Sequence, residues 1–195
     1  MILSALFITF LSVARDGSSG GRGPLPSFEM TYVVRDSVTN SGTTYYFVYR
    51  SEWSWKQTVV DASDPALIGS TQTYDGKEVV FHQPNVVPDV RFPADDGVPV
   101  APDRWIAAFG VDDKFRDVSD AQSGPGRRVF RFERRECGEA EEGFVLAGDG
   151  RCAGAPSYID EVTVDEESGI PLRYMEIDAG VLRTDMKALE WKLVE

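Results

Sequence analysis

The sequence is short of the residues that most enzymes rely on. It holds one histidine, His82, inside the strand-like run VVFHQP, where a hydrogen-bonded or exposed imidazole is a simpler reading than a catalytic base. No H-E-x-x-H, C-x-x-C or P-loop spacing occurs. GSSGG at 17–21 matches the pattern G-x-S-x-G in letters only. That elbow needs a strand before it and a helix after it, and this stretch lies in a Gly/Ser-rich linker. The acids Asp112, Asp113, Asp117 and Asp120 fit no EF-hand spacing and read as solvated surface. No catalytic residue, metal ligand or cofactor is expected, so the chain reads as a binder rather than an enzyme.

Positive charge is scarce as well. The 20 Lys and Arg are outnumbered by 32 Asp and Glu, for a formal net charge of -12. Nucleic acid is excluded as a partner, because a phosphate backbone must be met by clustered cations. Electrostatic docking on an anionic membrane is disfavoured for the same reason. An apolar lipid ligand is not excluded, since acyl chains bind through buried area and not through charge.

Long apolar runs are missing too. The longest, MILSALFITFLSVA at 1–14, is too short to span a bilayer. It suits a signal-peptide core, with small residues at Ser12 and Ala14 where a peptidase reads, although no Lys or Arg precedes it. The competing reading is a first core strand or helix. Residues 15–26 follow as a flexible Gly/Ser linker, and 27–195 is expected to be one domain. Export to the periplasm, cell envelope or exterior is the expectation, with no integral span in the mature chain. Cysteine is limited to Cys137 and Cys152. In an exported chain one disulfide between them would close a Gly-rich loop and stabilise by about 3 kcal/mol; two buried thiols are the alternative.

What is present is alternation. Phe28, Met30, Tyr32 and Val34 alternate with polar residues, as a half-buried strand should. TTYYFVYR (43–50) follows a Thr-Asn-Ser-Gly turn, with Tyr46 and Val48 expected inward. SWKQTVVD (54–61) is a third strand, with Trp53, Trp55, Gln57 and Val59 on one face. TQTYDGKEVVFHQP (71–84) is a hairpin whose Asp75-Gly76 pair permits a tight turn. Residues 84–104, rich in Pro and Asp, form an irregular crossing. PDRWIAAFG (102–110) has the spacing of a helix that aligns Trp105 with Phe109. RRVFRFERRE (127–136) returns to strand with Phe130 and Phe132 inward. YIDEVTVDEESGIPLRYMEID (158–178) is a second hairpin, which sets Val162 and Val164 against Leu172 and Tyr174. The last segment, 181–195, fits a helix through Leu182, Met186, Leu189 and Leu193, or a strand whose phase slips near Lys187–Ala188 at a β-bulge; its place after a hairpin arm favours strand.

The fold class expected is α+β, mainly antiparallel β. If such a sheet is strongly curved, its inward aromatics, each worth roughly 150–250 Å² of burial, line a hollow; if it is not, they are ordinary core.

The order of SFEMTYVVRD, TTYYFVYRSEWSWKQTVV, YDGKEVVFHQP and VTVDEESGIPLRYMEID resembles that of the periplasmic lipoprotein-carrier superfamily. That group includes LolA-like and LolB-like proteins, RseB and mycobacterial lipid-binding lipoproteins. The resemblance runs over roughly 27–194. It implies a curved open half-barrel sheet with one to three helices covering the concave face, and an apolar cavity for lipid or lipoprotein acyl chains. An envelope protein partner, as for a stress sensor of the RseB kind, is the alternative it implies. It also suggests Arg35 or Arg50 as the counterpart of an early-strand Arg that holds the carrier's helical lid. The strong acidity, the cysteine loop and the Pro-rich crossing depart from the small carrier.

Overall fold

The computed structural model describes residues 25–86, 88–94, 115–120, 123–134 and 156–194. Alternation of apolar and polar residues dictates strands throughout, and eleven of them form one open antiparallel sheet. In chain order they are β1 (Phe28–Asp36), β2 (Ser41–Ser51), β3 (Ser54–Ala62), β4 (Thr71–Tyr74), β5 (Glu78–His82), β6 (Val90–Pro93), β7 (Arg116–Asp117), β8 (Arg127–Arg134), β9 (Tyr158–Asp165), β10 (Pro171–Asp178) and β11 (Val181–Leu193). Across the sheet the order is β6-β5-β4-β3-β2-β1-β11-β10-β9-β8-β7. Two meanders, β1 to β6 and β7 to β11, are thus joined where the first strand pairs with the last.

The coarse expectation of a mainly antiparallel open sheet is met, but the α+β class with covering helices is not. Among the described residues the only helical element is the 3₁₀ turn Pro65–Leu67, capped by Asp64. The predicted helix 102–110, with Trp105 and Phe109, lies outside the described residues. So do Cys137, Cys152, the expected signal peptide 1–14 and the linker up to residue 24.

The hairpins close through the chemistry their turns contain. Gly76 adopts φ 89° after Asp75, whose Oδ1 accepts from the backbone N–H of Lys77 and Glu78. In DEESGIP, Asp165 Oδ2 accepts from Ser168 N at 2.8 Å and from its hydroxyl, and Gly169 takes φ 73°. Those two bonds hold the Asp165 carboxyl below its ordinary value, the Ser168 hydroxyl having the larger effect.

The helix-like spacing of the last segment has a different cause. β11 pairs with β1 as Thr31↔Glu190 and then Tyr32↔Ala188, which leaves Leu189 as an extra residue. A second bulge, between Glu176↔Thr184 and Ile177↔Leu182, extrudes Arg183. Two one-residue slips in one strand break strict alternation into something near a helical period.

Candidate functional site

The two faces of the sheet differ in kind. One is aromatic. Phe28, Met30 and Tyr32 of β1 share it with Phe47 and Tyr49 of β2, Trp55 of β3, Tyr74 of β4, Phe130 of β8, Val162 of β9, Tyr174 of β10 and Met186 of β11, all buried. Neighbouring rings touch. Phe28 stacks on Tyr49 and Tyr32 on Tyr45, each at 5.2 Å between centroids, and Trp55 meets Tyr74 at 5.9 Å. Two polar pairs form on this face: Gln57 Nε2 donates to the Tyr32 hydroxyl, and Tyr174 donates to Asp160 at 2.6 Å. Burial beside that carboxylate pushes the Tyr174 phenol well above its ordinary value, burial being the larger cause.

The structure brings together Met30, Tyr32, Trp55, Phe130 and Tyr174 of the expected lining, with Phe132 on the same face, and sets Tyr46, Val48, Trp53 and Leu172 apart from them; Trp105 and Phe109 lie outside the described residues. Tyr46 and Val48 lie on the opposite face, because β2 pairs with β1 as Thr31↔Tyr46 and Glu29↔Val48. TTYYFVYR carries apolar residues in both phases, and register with β1 selects Phe47 and Tyr49 instead. Tyr46 is 37% exposed and donates to Glu29 at 2.6 Å. Trp53 lies in the β2–β3 turn, 36% exposed, with its indole on Glu52. Phe132 is half-buried against Phe115. Leu172 is expelled by a bulge, since β10 pairs as Pro171↔Val164 and then Arg173↔Thr163; Val164 therefore faces Pro171 and not Leu172. His82 is exposed and its Nδ1 lies 2.8 Å from Asp89 Oδ1. Among the described residues no group of three or more His, Cys, Asp or Glu could hold a metal.

The other face is ionic, and on it the sheet holds a hollow of about 850 Å³. Its floor is built by β8 to β11 and β1. Arg131 of β8 stands directly opposite Glu161 of β9 and donates to it twice, at 2.9 and 2.6 Å. Arg173 grips Asp185 through Nε and Nη2, at 2.9 and 3.1 Å. Each carboxylate raises its arginine's affinity for the proton, chiefly through these hydrogen bonds. Arg35, Arg127 and Lys187 also line the hollow. In β7, Asp117 is held down to about 2 by the Ser119 hydroxyl and then by Arg128.

Neither Arg35 nor Arg50 faces the aromatic side. Arg35 lines the ionic hollow, and Arg50 pairs with Glu29 at 3.5 Å on that same face. The ionic site was missed because its residues are the polar half of RRVFRFER, YIDEVTVD and PLRYMEID, read as solvated alternation. The available signal was charge of both signs recurring at every second residue on adjacent strands.

No model of a protein family and no curated protein sequence matches the chain. Solved structures do. A conserved protein of unknown function from Thermus thermophilus is 14% identical, with 87% of this chain and 80% of that one covered at a TM-score of 0.55. A LolA superfamily protein from Nitrosomonas europaea is 11% identical over 89% of each chain, at 0.44. MucB, in the Pseudomonas aeruginosa MucA/MucB complex, is 16% identical, with 85% of this chain and 51% of that one covered, at 0.49. The chain therefore spans about half the length of MucB. At these identities the likeness concerns the fold alone, and the Thermus protein is the one of the three with a TM-score above 0.5.

Proposed function

We propose that the chain is an exported, non-enzymatic protein that binds lipid or lipoprotein acyl chains against the aromatic face of its open sheet. One observation carries the reading. A continuous apolar strip crosses the sheet from Val79 in β5 to Phe130 in β8, yet the described strands form a single layer. The side chains of the strip are nonetheless 5% exposed or less, so an acyl chain would enter among them instead of lying on an open face. It would gain roughly 25 cal/mol per Å² of its own apolar surface removed from water, with no acid–base chemistry involved. The experiment is native mass spectrometry of the full chain purified from the envelope fraction, followed by denaturing extraction. A lipid-sized adduct lost on denaturation is expected. A clean apo mass counts against the reading.

The second reading is an envelope protein-interaction or stress-sensor module without lipid transport. It is favoured by the edge strand β6, which presents Val90 and Phe92 at 45% and 37% exposure. A short strand with exposed apolar residues at a sheet edge can accept an added strand from a partner. Loss of an envelope partner in pull-downs of Val90→Pro, beside an apo mass, would favour this reading over the first.

A further inference from the structure

The ionic hollow carries more cation than its surroundings use. Five cations line it against the carboxylates of Asp120, Glu161 and Asp185, in a chain whose net charge is -12. Glu161 and Asp185 are taken by Arg131 and Arg173. Among the described residues no hydrogen bond or ion pair is made by the side chains of Arg35, Arg127 and Lys187. Arg35 stands opposite Asp185, which Arg173 already grips. Arg127 stands opposite Asp165, whose carboxylate is engaged by Ser168 in the turn. Lys187 stands opposite Arg173 on one side and Val33 on the other, and like charges directly opposite on one face destabilise a sheet.

Apolar surface meets this charge in an uncommon way. The two bulges at Leu172 and Leu189 turn leucines into the same hollow. Leu189 is left 58% exposed. The strands that form the floor are paired on both sides, so no backbone edge is open there for a peptide to add to. The volume is that of a small-molecule site.

We propose that this hollow binds a phosphate monoester carried on an apolar body. The phosphate, with a charge of about -1.5 to -2 at neutral pH, sits between Arg35 and Lys187, which stand on the paired strands β1 and β11 one ladder diagonal apart. Its charge offsets the local excess of cations, and its oxygens match the donor fork of Arg35. The apolar body lies on Leu172 and Leu189. This site lies on the face opposite the acyl-binding one, and its success or failure is independent of that reading.

The test is titration of the full chain with octyl phosphate, followed by calorimetry. Octyl phosphate is expected to bind at least about tenfold more tightly than inorganic phosphate or octanol. The variant Arg35→Gln/Lys187→Gln should lose about tenfold or more, as expected when charged hydrogen bonds are removed. Lys56→Gln, a cation on β3 remote from the hollow, should bind as the unaltered chain does. Both variants alter exposed side chains, and unchanged circular dichroism and melting would show that they fold. Vesicles containing phosphatidic acid form a second arm. Retention on them that is lost in the double variant supports the site with a lipid headgroup as source; binding of soluble octyl phosphate alone supports it with a free ester. Absence of octyl phosphate binding, equal binding by the double variant, or equal weakening by Lys56→Gln overturns the proposal.

Discussion

Tyr174 shows how far a single side chain's surroundings were legible. Alternation in PLRYMEID placed it inward beside Val162, and it lies there. Its hydroxyl partner Asp160 could not be foreseen, since it depends on which residue of β9 stands one ladder step away. The consequence is a pH dependence. The folded phenol is held above its unfolded value of about 10, so its contribution to stability is complete below pH 10 and is lost as pH rises beyond it. Tyr174→Phe should cost about 1–2 kcal/mol at neutral pH through the lost hydrogen bond. Above pH 10 its stability should then fall less steeply than that of the unaltered chain, by about 1.4 kcal/mol per pH unit. Urea denaturation at about pH 7, 10 and 11, on either side of the free phenol's titration, measures both.

Strands and turns were readable where only one phase was apolar, and misleading where both were. FEMTYVVRD leaves no choice of face, whereas TTYYFVYR does, and pairing with β1 made that choice against Tyr46 and Val48. β6 and β7 were unreadable: four and two residues at the ends of a sheet are too short for a period to register. The slip near Ala188 was visible because a strand could be drawn through 181–193 in no other way, while the Leu172 bulge left no such trace. One turn departs from good local chemistry. Asp178 and Val181 close β10 onto β11 through Ala179 and Gly180, both at positive φ, 49° and 77°. An Ala there bears a Cβ that the left-handed region disfavours, where Asn is tolerated. Ala179→Asn should therefore stabilise by about 0.5–1 kcal/mol, visible as a rise of a few degrees in Tm.

For the molecule as a whole, sequence reading found an open antiparallel sheet but could not order its strands. Nothing in FEMTYVVRD or in the final segment announces that the two are neighbours, because register between remote strands is a property of the assembled sheet. The same limit hid the ionic hollow, whose cations come from β1, β8, β10 and β11 and converge only once those strands are side by side. Stability should follow this geometry. Hydrogen exchange is expected to be slowest for β1 and β11, which are paired along both sides, and fastest at β6 and β7 on the two edges.

The β1–β11 pair also decides how the fold responds to force. Phe28 stands opposite Leu193, so the incoming end of the first strand and the outgoing end of the last lie side by side at one end of the sheet. A pull that separates those two points, from a tether on one and a load on the other, strains the ladder one rung at a time instead of shearing every rung together. The seam at the centre of the sheet would open like a zip, dividing the β1–β6 meander from the β7–β11 meander under a small load, while the same strands pulled along their length would hold.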